Sequence, residues 1–332
     1  MAKTGRDNYL PEEIIFIVLS WLPVKTLLRF KSVCKSWRSM ISDTQFVGAH
    51  LSNSRRKPAV LLNFVSFDRH IDVHYTPEDS YRFYLPPNVN GMKYICSCDG
   101  LVCLSNAYCD VIYIWNPLTK LLKLLPRPSK NLKIYRGLLA LGFDPISNDY
   151  KLLRIAGVEA ELYSSKADSW KHVQVPETLK ALRASSKVVN AKPGILYMTS
   201  GKDIIAFDLH KEVFRLYTIP PCKMSDILEF NGEAAMVFKS DDGSALSLFV
   251  LNDVCGEVFW TKLLDLEFDD NISRVLPSLA TAKFVTENDN EAKKYALRFH
   301  GDGKGMVIKY TESLVYLQGF QRQVESNRYL KQ

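Results

Sequence analysis

The chain has 332 residues, of which 47% are hydrophobic and 24% charged, a composition that supplies enough apolar surface for a packed core and excludes general disorder. The apolar run near the start, residues 14–19, is far shorter than the roughly 20 residues of a membrane-spanning helix, so we expect no membrane insertion. The first residues lack the apolar core of a signal peptide, which predicts a cytoplasmic or nuclear protein. In that compartment the seven cysteines are expected to be free thiols.

The positive charge is concentrated at one end of the chain. Residues 1–58 contain ten basic and four acidic side chains, a net charge of +6, whereas the other 274 residues contain 33 and 32, a net charge of +1. A protein that binds nucleic acid through its main body would carry a basic excess there. We therefore expect no nucleic-acid partner, and we expect two parts of different character.

The N-terminal part is predicted to form short helices. Pro11, with two acidic residues directly after it, is typical of a helix start. Pro23 ends that helix and opens a second one. A third helix follows Cys34, and Asp43 or Thr44 caps a short fourth turn.

These helices contain more apolar surface than they can bury among themselves. The first is apolar nearly all round, and about 40 residues make only a small core. Either the rest of the chain covers the remaining apolar surface, or a partner protein does. An acidic partner is favoured by the basic side chains Lys25, Arg29, Lys31, Lys35 and Arg38.

The order of short motifs in this part resembles an F-box. The motifs are Leu-Pro at 10–11, Leu-Pro-Val at 22–24, Arg-Phe at 29–30 and Cys-Lys-x-Trp at 34–37. The resemblance implies a small all-α domain that binds an acidic Skp-type adaptor and, through it, a cullin and a RING protein of a ubiquitin ligase. It also implies the residues that form or support the adaptor surface: Leu10, Pro11, Ile14, Leu22, Pro23, Val24, Leu27, Leu28, Phe30, Val33, Cys34 and Trp37.

Residues 52–58 are polar, basic and end in proline, which predicts a solvated linker. The alternative is part of a nuclear signal, although three consecutive basic residues are fewer than such patches usually contain. The predicted organisation is therefore an F-box over residues 1–51, a linker over 52–58 and an all-β domain over 59–332.

A hairpin pattern repeats along the rest of the chain. Its turns fall at Asn116, Ser164, Asp208, Asn252 and His300, in steps of 48, 44, 44 and 48 residues. This period is the length of a four-stranded propeller blade, and about six such units fit the available length. We therefore predict an all-β propeller of six blades, with seven blades possible and a two-sheet sandwich array as the alternative.

Six runs within this region resemble the F-box-associated domain of plant F-box proteins, a kelch-like propeller. The runs lie at 97–103, 114–119, 142–151, 168–170, 207–214 and 312–315. Their residues are typical of turns and core. Asp99-Gly100 predicts a tight hairpin turn with positive φ, and four aromatic residues are predicted in the core between blades: Trp115, Trp170, Phe214 and Trp260.

Four cysteines in one segment raise the question of a metal site. The Asp-Gly hairpin is expected to place Cys96 opposite Cys103 and Cys98 opposite Leu101, with Cys109 nearby. Zinc ligands are usually spaced by two to four residues and often include histidine, so buried free thiols are favoured instead. No catalytic motif stands out, and we predict a non-enzymatic protein without metal or cofactor.

The two resemblances together imply the substrate receptor of a Skp–cullin–F-box ubiquitin ligase, whose propeller holds a protein substrate. Loop stretches with charged or aromatic residues, at 129–136, 178–187 and 265–276, are candidates for the substrate surface. A pollen S-locus F-box that recognises pistil ribonucleases in self-incompatibility is one possible role, and a regulator of defence or hormone signalling is another. A propeller enzyme of the copper-oxidase type and a scaffold that works without cullin are further alternatives.

Overall fold

The structure is a computed structural model that describes the following residues: 10–57, 60–65, 70–74, 80–85, 89, 92, 94–106, 108–128, 137–156, 159–176, 188–200, 203–219, 224–230, 232–239, 245–254, 257–267 and 305–322. The N-terminal part contains four helices, as its motifs predict: α1 (Glu12–Ser20), α2 (Val24–Phe30), α3 (Lys35–Ser42) and α4 (Thr44–Arg55).

The helices start at the residues that the sequence indicates. Pro11 and Pro23 occupy the N-cap positions of α1 and α2. The Cys34 side chain caps α3 by accepting a bond from the Trp37 backbone N–H, and Asp43 caps α4 in the same manner. The Cys34 and Asp43 side chains each satisfy a backbone donor that has no partner within the helix.

The last helix is longer than the short turn that we predicted. Helix α4 has 12 residues and continues through Arg55, so the first half of the predicted linker, 52–58, is helical. The reason lies in tertiary contacts. Leu51 is buried against the sheets and Arg55 forms an ion pair with Asp99, and both contacts stabilise a polar segment that has no helical signal of its own.

The rest of the described chain consists of strands. They are β1 (Val60–Val65), β2 (His70–His74), β3 (Ser80–Tyr84), β4 (Tyr94–Cys98), β5 (Leu101–Ser105), β6 (Ile112–Asn116), β7 (Leu121–Leu124), β8 (Leu138–Asp144), β9 (Asp149–Ala156), β10 (Glu159–Ser164), β11 (Ser169–Val173), β12 (Val188–Val189), β13 (Ile195–Ser200), β14 (Asp203–Asp208), β15 (Val213–Thr218), β16 (Met224–Phe230), β17 (Glu233–Lys239), β18 (Ala245–Val254), β19 (Glu257–Glu267), β20 (Gly305–Tyr310) and β21 (Gln321–Arg322).

These strands form antiparallel sheets that follow one another along the chain, which is the organisation of a β-propeller. The first sheet has the order β20-β1-β2-β3, and the second has the order β21-β7-β6-β5-β4. The third, fourth and fifth are β8 to β11, β12 to β15 and β16 to β19. Residues 268–304 lie outside the described residues, so the count of six blades stays a prediction.

The predicted repeat corresponds to one position in successive sheets. Asn116, Ser164 and Asp208 each end the third strand of a sheet, and Asn252 lies near the end of the third strand β18. The first three side chains accept bonds from backbone N–H groups two or three residues later, which closes the turn into the fourth strand. The fifth predicted turn, at His300, lies outside the described residues.

A strand from near the end of the chain, β20, belongs to the first sheet of the propeller. Strand β20 pairs antiparallel with β1, from Val60 opposite Tyr310 to Val65 opposite Gly305. Because β20 belongs to the same sheet as β1, the start and the end of the β region meet in one sheet, as the closure of a propeller requires.

The predicted aromatic residues lie between neighbouring sheets. Trp115 is fully buried, whereas Trp170, Phe214 and Trp260 are half-buried. The Nε1 of Trp170 in the third sheet donates to the carbonyl of Pro126, just after the second sheet, at 2.7 Å. Trp260 of the fifth sheet makes the corresponding bond to the end of β15 at 3.1 Å. The outer strands are thus fixed to the preceding blade.

The sheets also bury charged side chains. Arg154 and Glu161 pair at 2.8 Å with 1% and 2% of their side chains exposed, and the Nε of Arg154 donates to the carbonyl of Cys109 in the second sheet. Lys151 pairs with the buried carboxylate of Asp144 at 3.0 Å and donates to the carbonyl of residue 209 in the fourth sheet. Adjacent blades are therefore held by charged contacts as well as by apolar ones.

Candidate functional site

Helix α1 leaves a row of apolar side chains at the surface. Ile14, Ile17, Val18 and Trp21 have 44–55% of their surface exposed. Their spacing of three, four and seven residues places them on one face of the helix. We call these four residues the α1 stripe. Leu10, which precedes the helix, is exposed as well.

The opposite side of α1 packs into a complete core. Leu19 is buried, and Phe16 meets Phe46 of α4 edge to face, with ring centroids 5.2 Å apart. The same apolar cluster includes Ile71 of the first sheet and Trp115 of the second. The sheets thus provide one of the two covers considered from the sequence, whereas the α1 stripe is exposed in the described part of the chain.

The twelve residues implied by the F-box resemblance fall into three groups. Six are exposed: Leu10, Pro11, Ile14, Pro23, Val33 and Cys34. Four are half-buried: Leu22, Leu28, Phe30 and Trp37. Val24 and Leu27 are fully buried. The exposed six are accessible at the surface, whereas the buried pair packs beneath the helices.

Three residues of the α1 stripe are not among the twelve predicted site residues: Ile17, Val18 and Trp21. The signal was available, since they follow Ile14 at the spacing of one helical face. The sequence pattern does not reveal this exposed face because the opposite face of the same helix is apolar too.

A basic surface accompanies the stripe. Lys25, Arg29, Lys35 and Arg38 are exposed on α2 and α3. Lys31 is half-buried, and its burial, followed by the nearby charge of Arg38, lowers the pKa of its ammonium. A concentration of positive charge attracts an acidic surface and discourages a basic one.

The cysteines of the second sheet lie as the hairpin predicts. Cys96 is opposite Cys103, Cys98 is opposite Leu101, and Cys109 is buried in the same cluster. Burial raises the pKa of Cys98 and Cys109, and a hydrogen bond with Cys96, followed by burial, raises that of Cys103. These three groups are protonated thiols at neutral pH. Within the described ranges, no three His, Cys, Asp or Glu side chains are grouped to hold a metal ion.

Two further findings concern partners. Among the residues that the structure describes, no helix is long and apolar enough to cross a membrane. The stretches predicted to bind a substrate, 129–136, 178–187 and 265–276, lie outside the described residues except for the end of β19.

Two family models match the chain. The F-box domain matches residues 8–47, and the F-box associated beta propeller domain matches residues 55–329. A solved structure, a virginiamycin B lyase from Staphylococcus aureus, aligns over 59% of this chain and 63% of its own at 14% identity and a TM-score of 0.37, which is too distant to carry an argument.

Curated relatives come from Arabidopsis thaliana. An F-box/kelch-repeat protein is 25% identical and covers 80% of this chain and 83% of its own length, and an F-box protein is 24% identical, covering 75% and 71%. A third, also an F-box protein, is 30% identical over 178 residues, and this chain spans 46% of its length. Because the propeller model alone spans most of the residues, the chain belongs to the family of proteins that join an F-box domain to an F-box-associated β-propeller domain.

Proposed function

We propose that this protein is the substrate-receptor subunit of a Skp–cullin–F-box ubiquitin ligase. In this role the helices bind a Skp-type adaptor, which connects them to a cullin and a RING protein. The propeller holds a protein substrate near the conjugating enzyme. The protein then contributes proximity rather than bond chemistry, because it raises the effective concentration of substrate lysines.

The observation that carries the proposal is the α1 stripe. Scattered apolar residues are normal on a protein surface, but a contiguous row rimmed by polar residues marks an interaction site. The core beneath it is complete, so the exposure is not the result of poor packing. The adjacent basic residues of α2 and α3 favour an acidic partner, the expected charge of the adaptor.

The proposed adaptor surface combines both sets of residues. It consists of the six exposed residues from the sequence analysis together with Ile17, Val18 and Trp21. The half-buried and buried members of the original twelve support it. In interfaces of this kind a few central apolar or aromatic residues supply most of the binding energy.

Binding of a recombinant plant Skp-type adaptor to the full chain, measured by calorimetry, tests the proposal. Val18→Glu places a charge in the middle of the stripe and is expected to weaken binding by about 10- to 100-fold. Val213→Glu is the matched control, since Val213 is equally apolar and exposed but lies on the outer strand β15 of the propeller. Equal affinities for the two variants, or no binding by the unmodified chain, would refute the proposal.

We place the substrate at the propeller edge that faces away from α4. The stretches 129–136, 178–187 and 265–276 follow or end the fourth strands β7, β11 and β19. In an antiparallel four-stranded sheet, the fourth strand ends opposite the edge that carries the turns between strands one and two and between strands three and four. Asp99, which contacts α4, lies in such a turn. This topology supports separate edges for helices and substrate.

The biological roles considered from the sequence stay predictions. An experiment that distinguishes these roles is to purify the tagged protein from pollen, incubate it with pistil extract and identify the proteins that co-purify with it. Recovery of a pistil ribonuclease would support self-incompatibility, and its absence would favour a role in defence or hormone signalling.

A further inference from the structure

One side of α4 holds the end of α1. The Nε2 of His50 donates to the carbonyl of Leu22 at 3.0 Å, and the Nζ of Lys57 donates to the carbonyl of Trp21 at 2.9 Å. The Nδ2 of Asn53 donates to the carbonyl and to the hydroxyl of Ser20, the last residue of α1. Carbonyls at the C-terminal end of a helix have no partner within it, so the bonds to the three carbonyls satisfy them. They also fix the helix that carries the α1 stripe.

The other side of α4 meets the propeller. Val47, Leu51 and Arg55 follow at intervals of four residues and therefore share one face. Leu51 packs in the apolar cluster of the second sheet, next to which Val47 also lies. Arg55, the last residue of α4, donates through its Nε and Nη2 to the carboxylate of Asp99, at 2.7–3.1 Å.

Asp99 is itself held by three parts of the propeller. It lies in the β4–β5 turn with a φ of 52°, and only 7% of its side chain is exposed. Its carboxylate also accepts a bond from the hydroxyl of Tyr150 in the third sheet, and its carbonyl accepts one from the hydroxyl of Ser313 near the end of the chain. Arg55 therefore binds a carboxylate whose position is fixed.

The ion pair between Arg55 and Asp99 fixes the orientation of α4 on the propeller, which apolar packing alone would leave adjustable. A bidentate Arg–carboxylate pair restricts direction as well as distance, whereas apolar contacts are non-directional. Arg55 itself is about half exposed, so the pair contributes modestly to stability. Its geometry is more informative than its energy.

We propose that Arg55 is a positioning residue that sets the angle between the α1 stripe and the propeller. The inference rests on the proposed function, since that angle fixes where a bound substrate stands relative to the adaptor. Misplacement of reacting groups by a small distance lowers reaction rates strongly. Loss of the ion pair then changes which lysines are modified without changing how tightly the adaptor binds.

The test compares Arg55→Glu with Arg56→Glu in the full chain. Arg56 is the next residue and is exposed, so the control makes the same charge change outside the ion pair. Spin labels carried by non-natural amino acids at Ser36 of α3 and Lys211 of the propeller avoid the seven native cysteines. Electron–electron resonance between them reports the distribution of distances between the two parts. Arg55→Gln is measured in parallel in case the glutamate variant fails to fold.

The expected result is a broader or shifted distance distribution for the Arg55 variants and an unchanged one for Arg56→Glu. Adaptor affinity is expected to stay within about twofold of the unmodified chain in all variants. In a reconstituted ligase, the lysines of the chain that become self-ubiquitinated are expected to change for Arg55→Glu only. Identical distance distributions for the Arg55 and Arg56 variants would overturn the inference. Failure of the unmodified chain to bind the adaptor would refute the proposed function instead, and the distance measurement would still decide the role of Arg55.

Discussion

The helices and the sheets differ in which side chains they expose and which they bury. The helical part exposes apolar residues along the α1 stripe, whereas the sheets bury charged residues such as Arg154, Glu161, Lys151 and Asp144. The burial of exposed apolar surface against a partner lowers the free energy of the system and therefore favours binding. Buried charge is tolerated only where partners are already in place. The helical part therefore has apolar surface that a partner protein can cover, whereas the buried charges of the sheets already have their partners within the chain.

This contrast assigns the affinity for a partner to the helical part and the rigidity of the fold to the sheets. The stripe offers binding energy but contributes little to the fold, so its residues can change with limited effect on stability. The buried charges contribute little to binding and connect one blade to the next. Substitutions in the two parts are accordingly expected to give different kinds of result, which the following predictions use.

The largest effect is expected at Arg154. Arg154→Ala leaves the carboxylate of Glu161 buried without its guanidinium, and removal of one member of a buried ion pair costs about 3–5 kcal/mol. Urea denaturation of the full chain measures this loss. The control is Lys171→Ala, which removes an exposed pair with Glu212 worth at most about 1 kcal/mol. Similar losses in the two variants would show that the sheets do not depend on their buried charge.

A smaller effect, with a pH dependence, is expected at Asp144. Burial alone would raise the pKa of Asp144, but hydrogen bonds from Ser147 and Lys151 outweigh it and hold the pKa well below its ordinary value. The folded-state pKa is thus lower than the unfolded one. This carboxylate therefore stabilises the fold above about pH 4, its unfolded value, and the stabilisation is lost as the pH falls towards the folded-state value.

Asp144→Asn is expected to cost about 1.5–3 kcal/mol at neutral pH, the range for a hydrogen bond to a charged group. The difference from the unmodified chain is expected to shrink as the pH falls below about 4. Chemical denaturation at several pH values measures both. A difference that stays constant across this range would contradict the assigned role of the carboxylate.

The smallest effect is expected at Val18 on the exposed face of α1, and a buried valine of α2 serves as its control. Val18→Ala and Val24→Ala make the same change at an exposed and at a buried position. Val24→Ala is expected to cost about 1.5–3 kcal/mol of folding free energy. Val18→Ala is expected to change it by no more than about 0.5 kcal/mol. Thermal unfolding of the two variants measures the contrast, and an equal loss would mean that the α1 stripe belongs to the core.

Local signals explain what the sequence predicts well. Asn116, Ser164 and Asp208 mark the turns because their side chains bond to the backbone a few residues away, an interaction that depends on short-range chemistry. The proline and cap positions of the helices are local for the same reason. The two-part organisation and the repeat of strands follow from such signals.

Contacts between distant residues explain what the sequence does not predict. Helix α4 is extended by Leu51, which packs in the cluster of the sheets, and by Arg55, whose partner Asp99 lies 44 residues further along the chain. The pairing of β20 with β1 joins residues from opposite ends of the propeller. In the α1 stripe, Ile17 and Val18 were not predicted as site residues because only the packed structure distinguishes the two apolar faces of α1.

The pairing of β20 with β1 has a consequence for synthesis on the ribosome. Because the chain emerges from its N-terminus, the sheet that continues the helical core lacks its last strand until translation is nearly finished. A premature stop codon just before residue 305 would remove β20 from the first sheet and β21 from the second. The truncated chain would thus lack strands in the two sheets that contribute to the core beneath the helices.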